Sequence, residues 1–179
     1  MQQLATPDEL LAKVAKELKA LLKEKAITEP LMVGIHTGGV WIANVLHKKL
    51  KLKEPLATLD ISFYRDDFSR IGVNPEVKPS DLPPDVEDRD IILVDDVLHT
   101  GRTIRAAMNE LFDYGRPASI TLVCLIDRSG RELPLQADIS GARLELAEGE
   151  HIKIHGPDPI EFEVMDADQN TARKKSGES

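Results

Sequence analysis

Four apolar residues in a row, Ile91, Ile92, Leu93 and Val94, follow the charged Asp88, Arg89 and Asp90 and run straight into the acid pair Asp95 and Asp96. An unbroken run of this kind predicts a strand buried on both faces of a parallel sheet. The same texture recurs from Leu31 to His36 and from Ser119 to Asp127, and the stretch "PLATLDISFYRDD" reads as a further strand with alternating polarity at its end. Between these runs the apolar period lengthens to that of a helix. In "TPDELLAKVAKELKALLKEK", Leu10, Leu11, Val14, Leu18, Leu21 and Leu22 make one stripe, with Thr6 as cap and Pro7 at the first helical position. A glycine turn after His36 opens a second helix running to Leu50. Beyond Gly101, Thr103 is expected to cap a third, whose apolar positions are Ile104, Ala107, Met108 and Leu111 and whose end falls at Tyr114 and Gly115. Strands alternating with helices predict an α/β fold, with ligands bound outside the carboxyl ends of the strands.

The remaining segments are less regular. Residues 66–88 carry Pro75, Pro79, Pro83 and Pro84 among acids, a long loop of the kind that serves as a lid. "RSGRELPLQADI" is a charged turn, "HIKIHG" and "IEFEVM" are short strand-like pieces, and "DADQNTARKKSGES" is a polar tail. No internal repeat or long linker interrupts the chain, so a single domain over 1–168 with a flexible tail at 169–179 is expected.

Composition narrows the function classes. The 179 residues are 41% hydrophobic and 30% charged, enough apolar material for one core. There is no apolar stretch of membrane-spanning length, and "MQQLATPDEL" lacks a cationic-then-apolar leader. The single cysteine, Cys124, lies among aliphatic neighbours and reads as a buried thiol, so a cytoplasmic protein is expected. The net charge of −8 argues against bulk nucleic-acid binding. His151 and His155 have helical ligand spacing but sit in an alternating strand, which makes them surface residues rather than metal ligands. Trp41, on the apolar face of the second helix, reads as core, while Tyr64 opens the long loop.

The chemistry concentrates in "VDDVLHTGRT". Gly101 allows a tight turn in which successive N–H groups converge, Thr100 and Thr103 add hydroxyl donors, and the helix start adds its dipole. That cradle suits a phosphate monoester, and it is not a P-loop, since no Gly-Lys-Ser/Thr follows. Asp95 and Asp96 repel phosphate, but they accept hydrogen bonds from vicinal hydroxyls or hold Mg²⁺ through water. Phosphate beside a diol describes a ribose 5-phosphate. The bland alternative, an acidic strand end that is merely hydrated, is outweighed by the Thr-Gly-Arg-Thr continuation.

"ILVDDVLHTGRT" resembles the PRPP-binding motif of type I phosphoribosyltransferases. Together with "VGIHTGG", "LDISFYRDD" and "GRPASITLVCLIDRSGRELPLQAD", in that family's order from about Leu31 to Gly141, it resembles the pyrimidine-operon regulator and uracil phosphoribosyltransferase family, PyrR. The resemblance implies a mainly parallel five-stranded sheet flanked by helices, with a small hood over the base. It implies that Thr100, Gly101 and Thr103, helped by the backbone of Val97, Leu98, His99 and Arg102, hold the 5-phosphate of PRPP. It places Asp95 and Asp96 on the ribose hydroxyls, with Mg²⁺ carried in by PRPP rather than by a protein metal site. It makes His36, Thr37, Gly38 and Gly39 the pyrophosphate loop, where family members often read Thr-Arg-Gly. Arg65 and the loop after it would close over the reacting centre, and Asp127, Arg128 and Arg131 are candidates for the base and hood, where the family commonly reads Gly-His-Arg at 129–131. The implied reaction is uracil plus PRPP giving UMP and pyrophosphate, and the alternative the resemblance implies is a UMP/UTP-responsive RNA-binding regulator of pyrimidine biosynthesis gene expression with little enzymatic activity. The implied partners include leader RNA and further copies of the chain, in a homo-oligomer. The lysines at 13, 16, 19, 23 and 25 are the visible basic candidates for RNA, against an acidic segment after Gly141.

Overall fold

The computed structural model describes residues 4–61, 80–147 and 149–165. Arg65, Tyr64, positions 66–79 of the long loop and the tail at 169–179 lie outside them.

The order of elements is helix α1 (Pro7–Glu24), strand β1 (Leu31–Ile35), helix α2 (Gly38–Leu50), strands β2 (Ala57–Leu59) and β3 (Asp90–Leu98), helix α3 (Arg102–Asp113), and strands β4 (Ser119–Arg128), β5 (Ile139–Leu144), β6 (His151–His155) and β7 (Glu161–Met165). Five strands form one sheet in the order β2-β1-β3-β4-β5, every neighbouring pair parallel. β6 and β7 make a separate antiparallel hairpin.

The continuous apolar runs are explained by burial on both faces. Ile92 and Val94 of β3, with Val123 and Leu125 of β4, face a core built with Leu10, Leu11, Val14 and Leu18 of α1 and Ile42 and Leu46 of α2. Ile91 and Leu93, with Cys124, face the other core, with Ile104, Ala107 and Leu111 of α3. Each such fully buried side chain contributes about 1.5–3 kcal/mol relative to exposure. Burial also pushes the Cys124 thiol well above its usual range, so it stays protonated.

α1 begins as its sequence predicts: Thr6 and Glu9 form a reciprocal capping box and Pro7 opens the helix. One lysine of its polar face is not free. Lys13 Nζ donates to the carbonyls of Gly141 at 2.8 Å and Ser140 at 3.3 Å, tying α1 to β5.

The two roots of the long loop are joined. Thr58 and Asp81 exchange backbone hydrogen bonds of 3.0 and 2.8 Å, and Asp60 N donates to Ser80 Oγ at 2.9 Å. Ser80 Oγ in turn donates to Glu110 Oε1 of α3 at 2.8 Å.

From β1 the chain moves outward to β2, and from β3 it moves the opposite way through β4 to β5. The point where the order reverses lies between β1 and β3, and a crevice opens there beyond the strand ends.

Candidate active site

Two loops flank that crevice. After β1 come His36 and Thr37, joined by a cis peptide, and then the first turn of α2 at Gly38 and Gly39. After the acids of β3 comes the segment from Val97 to Thr103. Between them is a cleft of about 870 Å³, lined by residues 36–38 and 95–104 together with Trp41, Arg128, Glu132, Ile152, Lys153 and Ile154.

β3 runs through the acid pair to Leu98, pairing with β4 as far as Leu98 against Asp127, so the acids lie within the strand rather than at its end. This extension holds the carboxylates at fixed points of a rigid element. Asp95 is buried, and its Oδ1 accepts from Asp96 N at 3.0 Å. Asp96 Oδ1 accepts from Val97 N at 2.8 Å.

The glycines of the first loop are required by closeness. A β-carbon on Gly39 would stand 2.6 Å from the Val94 carbonyl oxygen, and one on Gly38 would overlap the Asp96 carboxylate. The start of α2 is therefore pressed directly against both acids. Thr37 makes no side-chain cap there, so the backbone N–H groups of this helix end are not capped by their own N-cap side chain.

The second loop corrects the expected cap. Gly101, not Thr103, is the N-cap of α3, in a left-handed conformation with φ 91° that only glycine adopts freely. Thr103 lies in the first turn, and Thr100 Oγ1 accepts from Arg102 N at 3.2 Å. The hood turn props this loop from outside. The Thr100 carbonyl accepts from Glu132 N and Leu133 N at 3.0 and 3.1 Å, and Glu132 pairs with Arg102 at 2.7 Å. Arg131 donates to the His99 carbonyl and to Asp127.

Of the three hood candidates, Arg128 lines the cleft. It also lines a neighbouring, more open cavity of about 690 Å³, which Asp127 and Arg131 line without reaching the cleft. Asp127 is buried between Arg131 and, at 3.8 Å, Arg143.

The cleft also holds residues that sequence reasoning passed over. Trp41 is not core: it is half-buried on the cleft wall, where Gly156 lets the ring pack against the hairpin connection, a β-carbon there falling 2.6 Å from Cε3. The hairpin brings Ile152, Lys153 and Ile154 to the same wall. Alternation in "HIKIH" revealed the strand, but nothing in it revealed which wall the strand covers. His151 and His155 lie on that strand as expected, His155 Nε2 contacting Glu163 at 2.8 Å.

Among the described residues no three His, Cys, Asp or Glu side chains are placed to hold a metal ion. Asp95 and Asp96 offer two carboxylates at the cleft, a donor set that suits Mg²⁺ bound mainly by phosphate and hydroxyl oxygens of a ligand.

Comparison with known proteins agrees with this geometry. Residues 2–160 match the model of the phosphoribosyl transferase domain. The bifunctional protein PyrR of Pseudomonas paraeruginosa is 56% identical over 160 residues, 89% of this chain and 94% of that protein. Its counterpart from Pseudomonas savastanoi pv. phaseolicola is 53% identical over 163 residues, 91% and 96% of the two chains. Among solved structures, a Trypanosoma cruzi hypoxanthine phosphoribosyl transferase superposes with a TM-score of 0.69 over 97% of this chain and 96% of that one, at 20% identity. A Staphylococcus aureus hypoxanthine phosphoribosyltransferase gives 0.62 over 81% and 78%, at 23% identity. At such identities these two speak for the fold alone, and the fold is that of the type I phosphoribosyltransferases.

Proposed function

The chain belongs to the phosphoribosyl transferase family and, within it, to the family of bifunctional protein PyrR, and on that premise we propose that it transfers the phosphoribosyl group of PRPP to uracil, giving UMP and pyrophosphate. The observation that carries this reading is the placement of three sub-sites around one cleft: the cradle at Thr100–Thr103, the acids Asp95 and Asp96, and the glycine loop at His36–Gly39.

Each group has a task set by its chemistry. The turn at Gly101 and the N-terminus of α3 bind the 5-phosphate through N–H groups and the Thr100 and Thr103 hydroxyls. Asp95 and Asp96, held by backbone amides on a rigid strand, accept hydrogen bonds from the ribose 2- and 3-hydroxyls. The first turn of α2 receives the departing pyrophosphate on its N–H groups. Magnesium, bound with PRPP, supplies charge neutralisation to the leaving group, and Asp95 and Asp96 are the residues that would hold it. Glycosyl transfer through an oxocarbenium-like centre needs orientation of both partners and exclusion of water. The wall against which the base lies is supplied by Arg128 of the hood, Trp41 of α2 and residues 152–154 of β6. Closure over PRPP is assigned to Arg65 and the loop after it as far as Ser80, since the residues from Ser80 to Asp88 are tied to the sheet and to α3. The lone, buried Cys124 suits a reducing compartment, and we assign the reaction to the cytoplasm, carried out by a homo-oligomer.

A radiolabelled-uracil assay with PRPP and Mg²⁺ tests the assignment. Labelled UMP should form only when all three are present. Binding of PRPP without any UMP would reject uracil as the substrate.

A further inference from the structure

We propose that His99 is the catalytic residue that takes the N1 proton of uracil as the bond to the ribose forms, an inference that rests on the uracil transfer argued above. The imidazole stands where the phosphate cradle meets the hood. His99 lines the cleft, and its ring lies edge-on against Gly130 of the hood turn, where a β-carbon would be 2.7 Å from Nε2 and 3.1 Å from Cδ2. The backbone beneath it is fixed, since Arg131 donates to the His99 carbonyl and the next carbonyl, that of Thr100, accepts two hood amides. The Nε2–Cδ2 edge of the ring is set against a residue without a side chain, at the junction of the cleft and the hood turn.

The other proton acceptors around the cleft have different employment. Asp95 and Asp96 face the diol, His36 lies at the pyrophosphate end, and Glu132 is engaged by Arg102 at 2.7 Å. Lys153, Arg102 and Arg128 are cations. His99 is left as the neutral base beside the base pocket. Burial, then the Arg128 guanidinium, hold its pKa below the ordinary 6.5, with His151 and Arg131 acting the same way and Glu132 opposing them. The ring is therefore unprotonated at neutral pH and ready to accept.

The step balances. The electron pair of the N1–H bond forms the N1–C1 bond, the C1–O pair leaves with pyrophosphate, and the proton goes to the imidazole. The resulting imidazolium, unfavourable beside two guanidiniums, returns the proton to solvent. A weak base suffices, because N1–H becomes strongly acidic once bonding to C1 begins.

The test compares the full wild-type chain with His99→Gln and His99→Asp, following kcat against pH and the affinity for PRPP–Mg²⁺. His99→Gln should bind PRPP within about twofold of wild type while kcat falls roughly 100-fold, the ordinary size of general-base catalysis. 5-Fluorouracil, whose N1–H is more acidic, should lose roughly tenfold only. His99→Asp should recover part of the rate, with its acid limb displaced into the carboxylate range. The wild-type profile is a measure independent of any variant: kcat should fall on the acid side with a midpoint below the ordinary imidazole value. A wild-type profile flat through that range, or a His99→Gln chain with unchanged kcat and profile, overturns the proposal while leaving uracil transfer standing. A wild-type chain that binds PRPP but makes no UMP overturns both.

Discussion

Ser80, where the long loop rejoins the sheet, donates a 2.8 Å hydrogen bond to Glu110 on α3, the helix that begins at Gly101 beside the cleft. Glu110 is 9% exposed, and its second oxygen, Oε2, is buried without a hydrogen-bond partner. Burial, together with nearby Asp60 and Asp113, raises its pKa above the ordinary 4.5, the Ser80 bond opposing. The folded state thus holds this proton more tightly than the unfolded chain, and stability falls as pH rises from the unfolded pKa through the folded one. Glu110→Gln removes that dependence. Its Tm should exceed that of wild type at pH above the folded pKa, with the difference closing below the unfolded one, as thermal melts across that range will show. A constant difference at every pH would contradict the assignment.

The acids give a second prediction. Asp95→Asn with Asp96→Asn keeps one acceptor oxygen on each side chain, so the backbone bonds from Asp96 N and Val97 N can survive. What is lost is charge-assisted bonding to the diol, about 1.5–3 kcal/mol per bond. PRPP affinity by calorimetry should fall roughly 10–100-fold for each bond lost, with unchanged circular dichroism. Unchanged affinity would remove the diol from these residues.

Gly38 gives a third. Its φ is ordinary, so alanine is tolerated by the backbone, but the new methyl overlaps the Asp96 carboxylate. Overpacking of this sort costs about 1–3 kcal/mol. Gly38→Ala should displace Asp96, weaken PRPP binding roughly tenfold and lower Tm by about 2–4 °C for each kcal/mol of that cost. Full PRPP affinity would mean that Asp96 moves away without consequence for the site.

RNA binding yields a fourth. The carbonyls of Ser140 and Gly141 hold the Lys13 ammonium, so a charge reversal there would disturb packing as well as surface potential. Lys16, Lys19 and Lys23 are exposed on the same helix and make the cleaner triple reversal to glutamate. We expect weak or absent binding of pyrimidine-leader RNA by the wild type, given the net charge of −8 and the acids after Gly141. A UMP-dependent gel shift at nanomolar protein and physiological salt, abolished by the triple reversal, would contradict that and place RNA on α1.

Strands β1 to β4 and the tight turn at Gly101 were legible in the sequence because burial on two faces and a glycine turn leave local marks, whereas β5, short and partly exposed, left none. Ile91–Val94 announced a central strand, and Thr6 with Pro7 announced the start of α1. Local marks failed where tertiary placement decides. Thr103 was the better cap by side-chain chemistry, yet the chain turns at Gly101, whose left-handed backbone starts the helix two residues earlier. Lys13 belonged to a polar face until β5 came beside it. Ile152, Lys153 and Ile154 reach the cleft only because the hairpin folds back over the α2 side of the sheet, and the local sequence of β6 does not specify that return.

Trp41 is the only tryptophan in the chain, and it stands on the wall of the cleft against Gly156. Indole emission is sensitive to solvent and to stacked or charged neighbours, and here a single fluorophore reports from a single place. The unmodified protein thus carries its own optical probe of occupancy: a nucleotide entering the cleft, or the hairpin shifting beside it, alters one emission band that no other indole obscures.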